Sequence, residues 1–132
     1  MTTYRVLVLE DEPALRRALE RALTSFGYEA VSSGDPSSAY VLMAERKFDA
    51  LVVDLRLPHT LGDAFYYAVV RQWPELRGRV ILMSGDPWTG TEDWPQELRD
   101  CPMLAKPFTL DVLARALARV LEPDERRQTN GL

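Results

Sequence analysis

The chain has 132 residues, 46% hydrophobic and 27% charged, with a net charge of −4. That length suits one domain with a real core, and the balance excludes disordered and fibrous classes. The acidic balance argues against the basic stripe of a nucleic-acid-binding surface, the single cysteine, Cys101, excludes an internal disulfide, and no stretch reaches the length of a membrane span.

From the N-terminus, Met1 to Arg5 has only the short apolar run Val6–Leu9 behind it. That is too short for a signal region, so a soluble cytoplasmic protein is expected. Val6–Leu9 reads as a first strand that runs into Glu10-Asp11-Glu12. Pro13 suits the first turn of a helix, in which Leu15, Leu19, Ala22, Leu23 and Phe26 recur at helical spacing until Gly27 stops it. Arg16, Arg17 and Arg21 fall on the outer side of that helix and read as a solvated face. Tyr28–Val31 is a weak second strand, Ser32–Pro36 a loop, and Asp35 a cap for a helix to about Glu45. Ala50–Val53 reads as a buried strand closed by Asp54, with a turn at Leu57-Pro58 and a loop through His59 and Gly62. The next helix carries Phe65, Val69 and Trp73 on one face and ends before Pro74. Val80–Met83 is a fourth strand that runs into Ser84-Gly85-Asp86.

The segment from Asp86 to Pro95 contains Pro87, Gly90 and Pro95 and no clean apolar stripe, which leaves room for only a short helical turn over Gln96–Asp100. Met103–Ala105 is a fifth strand, followed by Lys106-Pro107-Phe108. Thr109 or Asp111 opens a last helix with Leu113, Ala116, Leu117 and Val120 inward, and Pro123 ends it. Residues 122–132 form a polar tail and residues 1–121 one domain. Five strands alternating with helices imply a doubly wound α/β fold, with parallel strands in the order 2-1-3-4-5 and a switch point between strands one and three.

That topology crowds Glu10, Asp11, Asp54, Ser84 and Lys106 onto one rim, where open parallel sheets place their ligands. Three carboxylates in one crevice repel unless a cation joins them, and Mg²⁺ takes such oxygen ligands together with a phosphate. Glu12 fits better as an acid at the positive end of the first helix. Asp54 is a candidate nucleophile, since carboxylates form aspartyl-phosphate. Lys106 would bind phosphate as a point charge. A cis Lys106–Pro107 bond is expected, turning the amine inward. Ser84 supplies a hydroxyl, and Gly85 lets backbone N–H groups approach an anion. His59, alone in its loop, reads as an exposed turn residue.

The segments Val-Leu-Val-Leu-Glu10-Asp11-Glu-Pro, Leu-Val-Val-Asp54-Leu-Arg-Leu-Pro58, Ile-Leu-Met-Ser84-Gly and Leu-Ala-Lys106-Pro107-Phe108, with their spacing, resemble the receiver domain of two-component response regulators. The resemblance runs from about Tyr4 to Leu121. It implies a flavodoxin-like receiver fold without enzymatic turnover beyond its own phosphotransfer and dephosphorylation. Asp54 would accept a phosphoryl group from a phosphohistidine on a histidine kinase or histidine phosphotransfer protein. Glu10, Asp11, Asp54 and the backbone carbonyl of Arg56 would hold Mg²⁺. Lys106 would bind a phosphoryl oxygen, and Ser84 would report its presence to a downstream protein target. A phosphorylation-dependent dimer is compatible with the chain but not specified by it; neither a nucleic acid nor a membrane is expected as a partner.

The chain departs from the family pattern in having Met103 where an aromatic residue usually stands three positions before the lysine. It also has an irregular or shortened fourth helix, near which Trp88 and Trp94 are candidates for either partner anchors or core. Two other readings compete. A phosphorylation-independent interaction module would keep the fold without the chemistry. A Mg²⁺-dependent phosphohydrolase of the haloacid dehalogenase type would need a second Asp two residues after the nucleophile, where this chain has Arg56.

Overall fold

In the computed structural model, which describes residues 3–57, 60–85 and 94–121, the chain winds a five-stranded parallel sheet between two layers of helices. Its elements are β1 (Arg5–Leu9), α1 (Pro13–Ser25), β2 (Glu29–Ser33), α2 (Pro36–Glu45), β3 (Ala50–Asp54), α3 (Gly62–Gln72), β4 (Val80–Ser84), α4 (Gln96–Arg99), β5 (Met103–Ala105) and α5 (Leu110–Leu121). The strand order is β2-β1-β3-β4-β5, the order expected from the sequence.

Alternation along the strands separates the core into two layers, because successive side chains leave a strand on opposite faces. Leu7, Leu9, Leu51, Val53 and Leu82 point to the side covered by Ala39 and Met43 of α2, Phe65 and Val69 of α3, and Leu98 of α4. Val6, Val8, Ala50, Val52 and Ile81 point to the side covered by Leu19 and Leu23 of α1 and by Leu113 and Leu117 of α5. Both faces of the central strands are therefore sealed, which is why these strands read as unbroken apolar runs. Fully burying each Val, Leu, Ile, Phe or Met side chain among them contributes roughly 1.5–3 kcal/mol.

Helix ends follow local chemistry. Gly27, at φ 96°, takes the left-handed conformation after α1. The Gly27 amide donates to the Thr24 carbonyl and the Tyr28 amide to the Leu23 carbonyl, both at 3.0 Å, closing the paired C-terminal bonds that favour glycine there. The Asp35 carboxylate accepts from the Ser38 amide at 2.9 Å and caps α2. The Thr109 hydroxyl accepts from the Val112 amide at 3.3 Å, so Thr109 and not Asp111 caps α5.

Two local expectations need correction. Ser32 and Ser33 belong to β2, because pairing with Val8 and Leu9 of β1 extends that strand past its apolar residues. Arg56–Leu57 pairs with Thr60–Leu61 as a small antiparallel ribbon where a plain loop was expected. Glu12 stands at the N-cap position of α1, at the positive end of that helix as expected, and makes no side-chain cap bond. The short α4, a single turn after Pro95, matches the sequence. Pro58, His59, Pro87, Trp88, Gly90 and the tail 122–132 lie outside the described residues.

Candidate functional site

The carboxyl ends of β1, β3, β4 and β5 meet on one rim. Pairing carries Val6–Leu9 alongside Ala50–Val53, so β1 and β3 end side by side and bring Glu10 next to Asp54. The Lys106 amide donates to the Ser84 carbonyl at 2.8 Å, which ties the end of β5 to the end of β4. The Lys106–Pro107 bond is cis, and the lysine side chain reaches inward over the sheet.

Lys106 Nζ donates to Glu10 Oε1 at 2.7 Å and to Asp54 Oδ2 at 2.9 Å. Among the described residues these bonds use two of the three ammonium N–H groups. Asp54 is held at both oxygens, since Oδ1 accepts from the Arg56 amide at 2.9 Å. Glu10 is held at both as well, with Oε2 accepting from the Glu12 amide at 3.0 Å. Glu10 and Asp54 are buried, at 1% and 4% exposure, and Asp11 is exposed beside them. One oxygen from each of Glu10, Asp11 and Asp54 lies within 4.8 Å of the others. A hard cation with oxygen ligands, such as Mg²⁺, fits that donor set.

The electrostatics of this cluster are asymmetric. Burial raises the Glu10 carboxyl above its ordinary value, and the nearby Asp54 charge adds to the rise. The bonds from Lys106 and the Glu12 amide pull against it and are outweighed. Burial works against the Lys106 charge, but the bonds to Asp54 and Glu10 prevail and raise its pKa. One ammonium thus compensates two buried acids, a deficit of positive charge that an added cation would correct.

Ser84 is buried at the end of β4 on the same rim, and a Cβ placed on Gly85 would meet open space. Trp94 and Met103 are half-buried and pack against one core layer.

Two features escaped the sequence. Arg16 is not part of a fully solvated face: its Nη1 donates to the Glu10 carbonyl at 2.9 Å. The signal lay in helix geometry, because side chains lean toward the N-terminus of their helix and Arg16 thereby leans back over Glu10. The second is a polar knot at α4, where the Glu97 carboxylate accepts from the Tyr66 hydroxyl at 2.8 Å and from Arg77 Nε at 2.6 Å. It joins residues 20 and 31 positions apart, beyond the reach of any local pattern.

Comparison with known proteins identifies the family. A family model described as the response regulator receiver domain matches residues 6–118. The response regulator receiver protein CpdR of Brucella abortus is 27% identical over 89% of this chain and 96% of its own length. The DNA-binding transcriptional regulator NtrC of Bradyrhizobium is 30% identical over 96% of this chain, which spans only 26% of that protein. The chemotaxis response regulator CheY4 of Vibrio cholerae superposes with a TM-score of 0.76 at 26% identity, covering 91% of this chain and 100% of its own.

Proposed function

The chain belongs to the response regulator receiver family, whose members are phosphoacceptor signalling switches, and on that footing we propose that Asp54 is its phosphoacceptor. The observation that carries the proposal is the Lys106 ammonium bridging Glu10 and Asp54 at the mouth of an acid cluster.

The donor would be a phosphohistidine on a histidine kinase or phosphotransfer protein in the cytoplasm. An Asp54 oxygen attacks phosphorus, the P–O bond forms and the P–N bond breaks. The departing imidazole nitrogen keeps the electron pair and takes up a proton. Mg²⁺, when bound by Glu10, Asp11, Asp54 and the Arg56 carbonyl, supplies charge neutralisation for the transferring group. The chain's own groups do the rest. The Arg56 amide and Lys106 fix the orientation of the Asp54 carboxylate, and the remaining Lys106 N–H meets a phosphoryl oxygen. The Ser84 hydroxyl, on the next strand, responds to the new dianion. The signal passes to a protein target by contact, without turnover of an external substrate.

The test adds Mg²⁺ and acetyl phosphate to wild type and to Asp54→Asn. Wild type should gain one phosphoryl group per chain as an acid-stable, base-labile adduct seen by intact mass, and Asp54→Asn should gain none. No adduct on wild type would favour the phosphorylation-independent module, and hydrolysis of many unrelated phosphate esters would favour the hydrolase.

A further inference from the structure

We propose that Arg16 is a positioning residue of the acid pocket, holding the peptide that carries Glu10 and launches Asp11. The proposal rests on the metal-binding role given above to those two acids.

Every polar group of Glu10 has a partner, and each comes from a different part of the chain. Its amide donates to Ser33 of β2, its carboxylate takes Lys106 and the Glu12 amide, and its carbonyl takes Arg16 of α1. The strand register of β1 ends at Leu9, so the ladder supplies no donor to that carbonyl. The carbonyl shares one rigid peptide plane with the Asp11 amide. Anchoring the oxygen therefore fixes the direction in which Asp11 leaves β1. A guanidinium is suited to the task, because it stays charged and its N–H groups sit in a planar fork.

An independent feature marks the place of the guanidinium. Gly34, in the loop after β2, does not have a left-handed backbone, so its conformation does not demand glycine. A Cβ there would lie 2.8 Å from Arg16 Nη1 and 3.5 Å from Cζ. The missing side chain is the space that the arginine occupies. Gly34→Ala should therefore push the guanidinium off the Glu10 carbonyl while leaving its charge on the protein. That separates positioning from electrostatics, since the charge itself would oppose a cation in the pocket.

The experiment measures Mg²⁺ affinity calorimetrically for wild type, Arg16→Ala, Arg16→Lys, Gly34→Ala and the Arg16→Ala/Gly34→Ala double variant. Exchange of the Glu12 amide, which reports the Glu10 carboxylate, is followed without metal, and melting temperatures confirm folding. Groups that orient metal ligands usually change affinity by about 10- to 100-fold. With only a backbone anchor lost, Gly34→Ala should weaken Mg²⁺ binding by about ten-fold and speed Glu12 exchange. Arg16→Lys should recover part of what Arg16→Ala loses. The double variant should be no worse than Arg16→Ala, because both changes remove one bond. The proposal is overturned if Gly34→Ala and Arg16→Ala both bind Mg²⁺ within about two-fold of wild type, or if Gly34→Ala adds in full to Arg16→Ala. Wild type that binds no Mg²⁺ would instead overturn the pocket's metal role, and this proposal with it.

Discussion

Glu10 and Glu97 are each held by a cation and one further donor, yet their protonation shifts in opposite directions. Glu10 is buried beside a second acid and shares its ammonium with Asp54, and burial raises its pKa. Glu97 keeps 34% of its side-chain surface in water, and the bonds from Arg77 and Tyr66 lower its pKa. The difference is one of charge balance. The rim around Glu10 holds too much negative charge for its single ammonium, which suits a place where a cation and a phosphoryl group arrive. The knot around Glu97 is locally neutral, which suits a clamp. That clamp also marks its neighbours: burial, then the Glu97 carboxylate, raises the Tyr66 hydroxyl, and the same two causes push the Cys101 thiol up to about 11.

The sharpest way to break this contrast is Lys106→Ala. The two acids would face each other without their ammonium, so phosphorylation by acetyl phosphate should slow by about 100-fold, the scale of losing one preorganised charge-stabilising donor. Metal-free stability should fall by roughly 2 kcal/mol, and saturating Mg²⁺ should restore most of it. Equal loss with and without Mg²⁺ in denaturant melts would make Lys106 merely structural.

Glu10→Gln comes next. It removes one charge from the cluster, so Mg²⁺ affinity should drop at least about ten-fold in titration calorimetry. Unchanged affinity would take Glu10 out of the cation site.

Tyr66→Phe tests the other side. It deletes one hydrogen bond to a charged, partly exposed acceptor, and chemical denaturation should show a loss of about 1 kcal/mol with no change in phosphorylation rate. A slowed rate would tie the α4 clamp to the chemistry.

The smallest effect is the pH dependence of Glu97. Its folded pKa lies below the ordinary value of 4.5. Its ionised form therefore stabilises the fold above that pH, and the contribution is lost as pH falls through the lowered value. Melts of wild type and Glu97→Gln should differ by a constant amount near neutrality and converge in acid. A gap that widens in acid would reverse the assignment.

Much of this contrast was legible in the chain, and unevenly so. Strands such as Ala50–Asp54 and Val80–Ser84 are buried on both faces, so their apolar runs specify them directly, and the acids and lysine at their ends follow from topology. The short β2 was harder, because Ser32 and Ser33 become strand only by pairing with β1. Arg16 looked solvated because composition does not show what a long side chain reaches back to touch. The Glu97 knot needed three distant segments placed in space, and no periodicity encodes that.

The order of residues along the chain has a consequence of its own. Lys106 follows Glu10 by 96 positions and Asp54 by 52. A polypeptide emerging from its N-terminus presents both acids well before the amine that will neutralise them. The edge strand β5 is the last strand in the chain order of the described residues, and the residue after it carries the balancing charge, so the strand that completes the sheet also brings the group that closes the crevice.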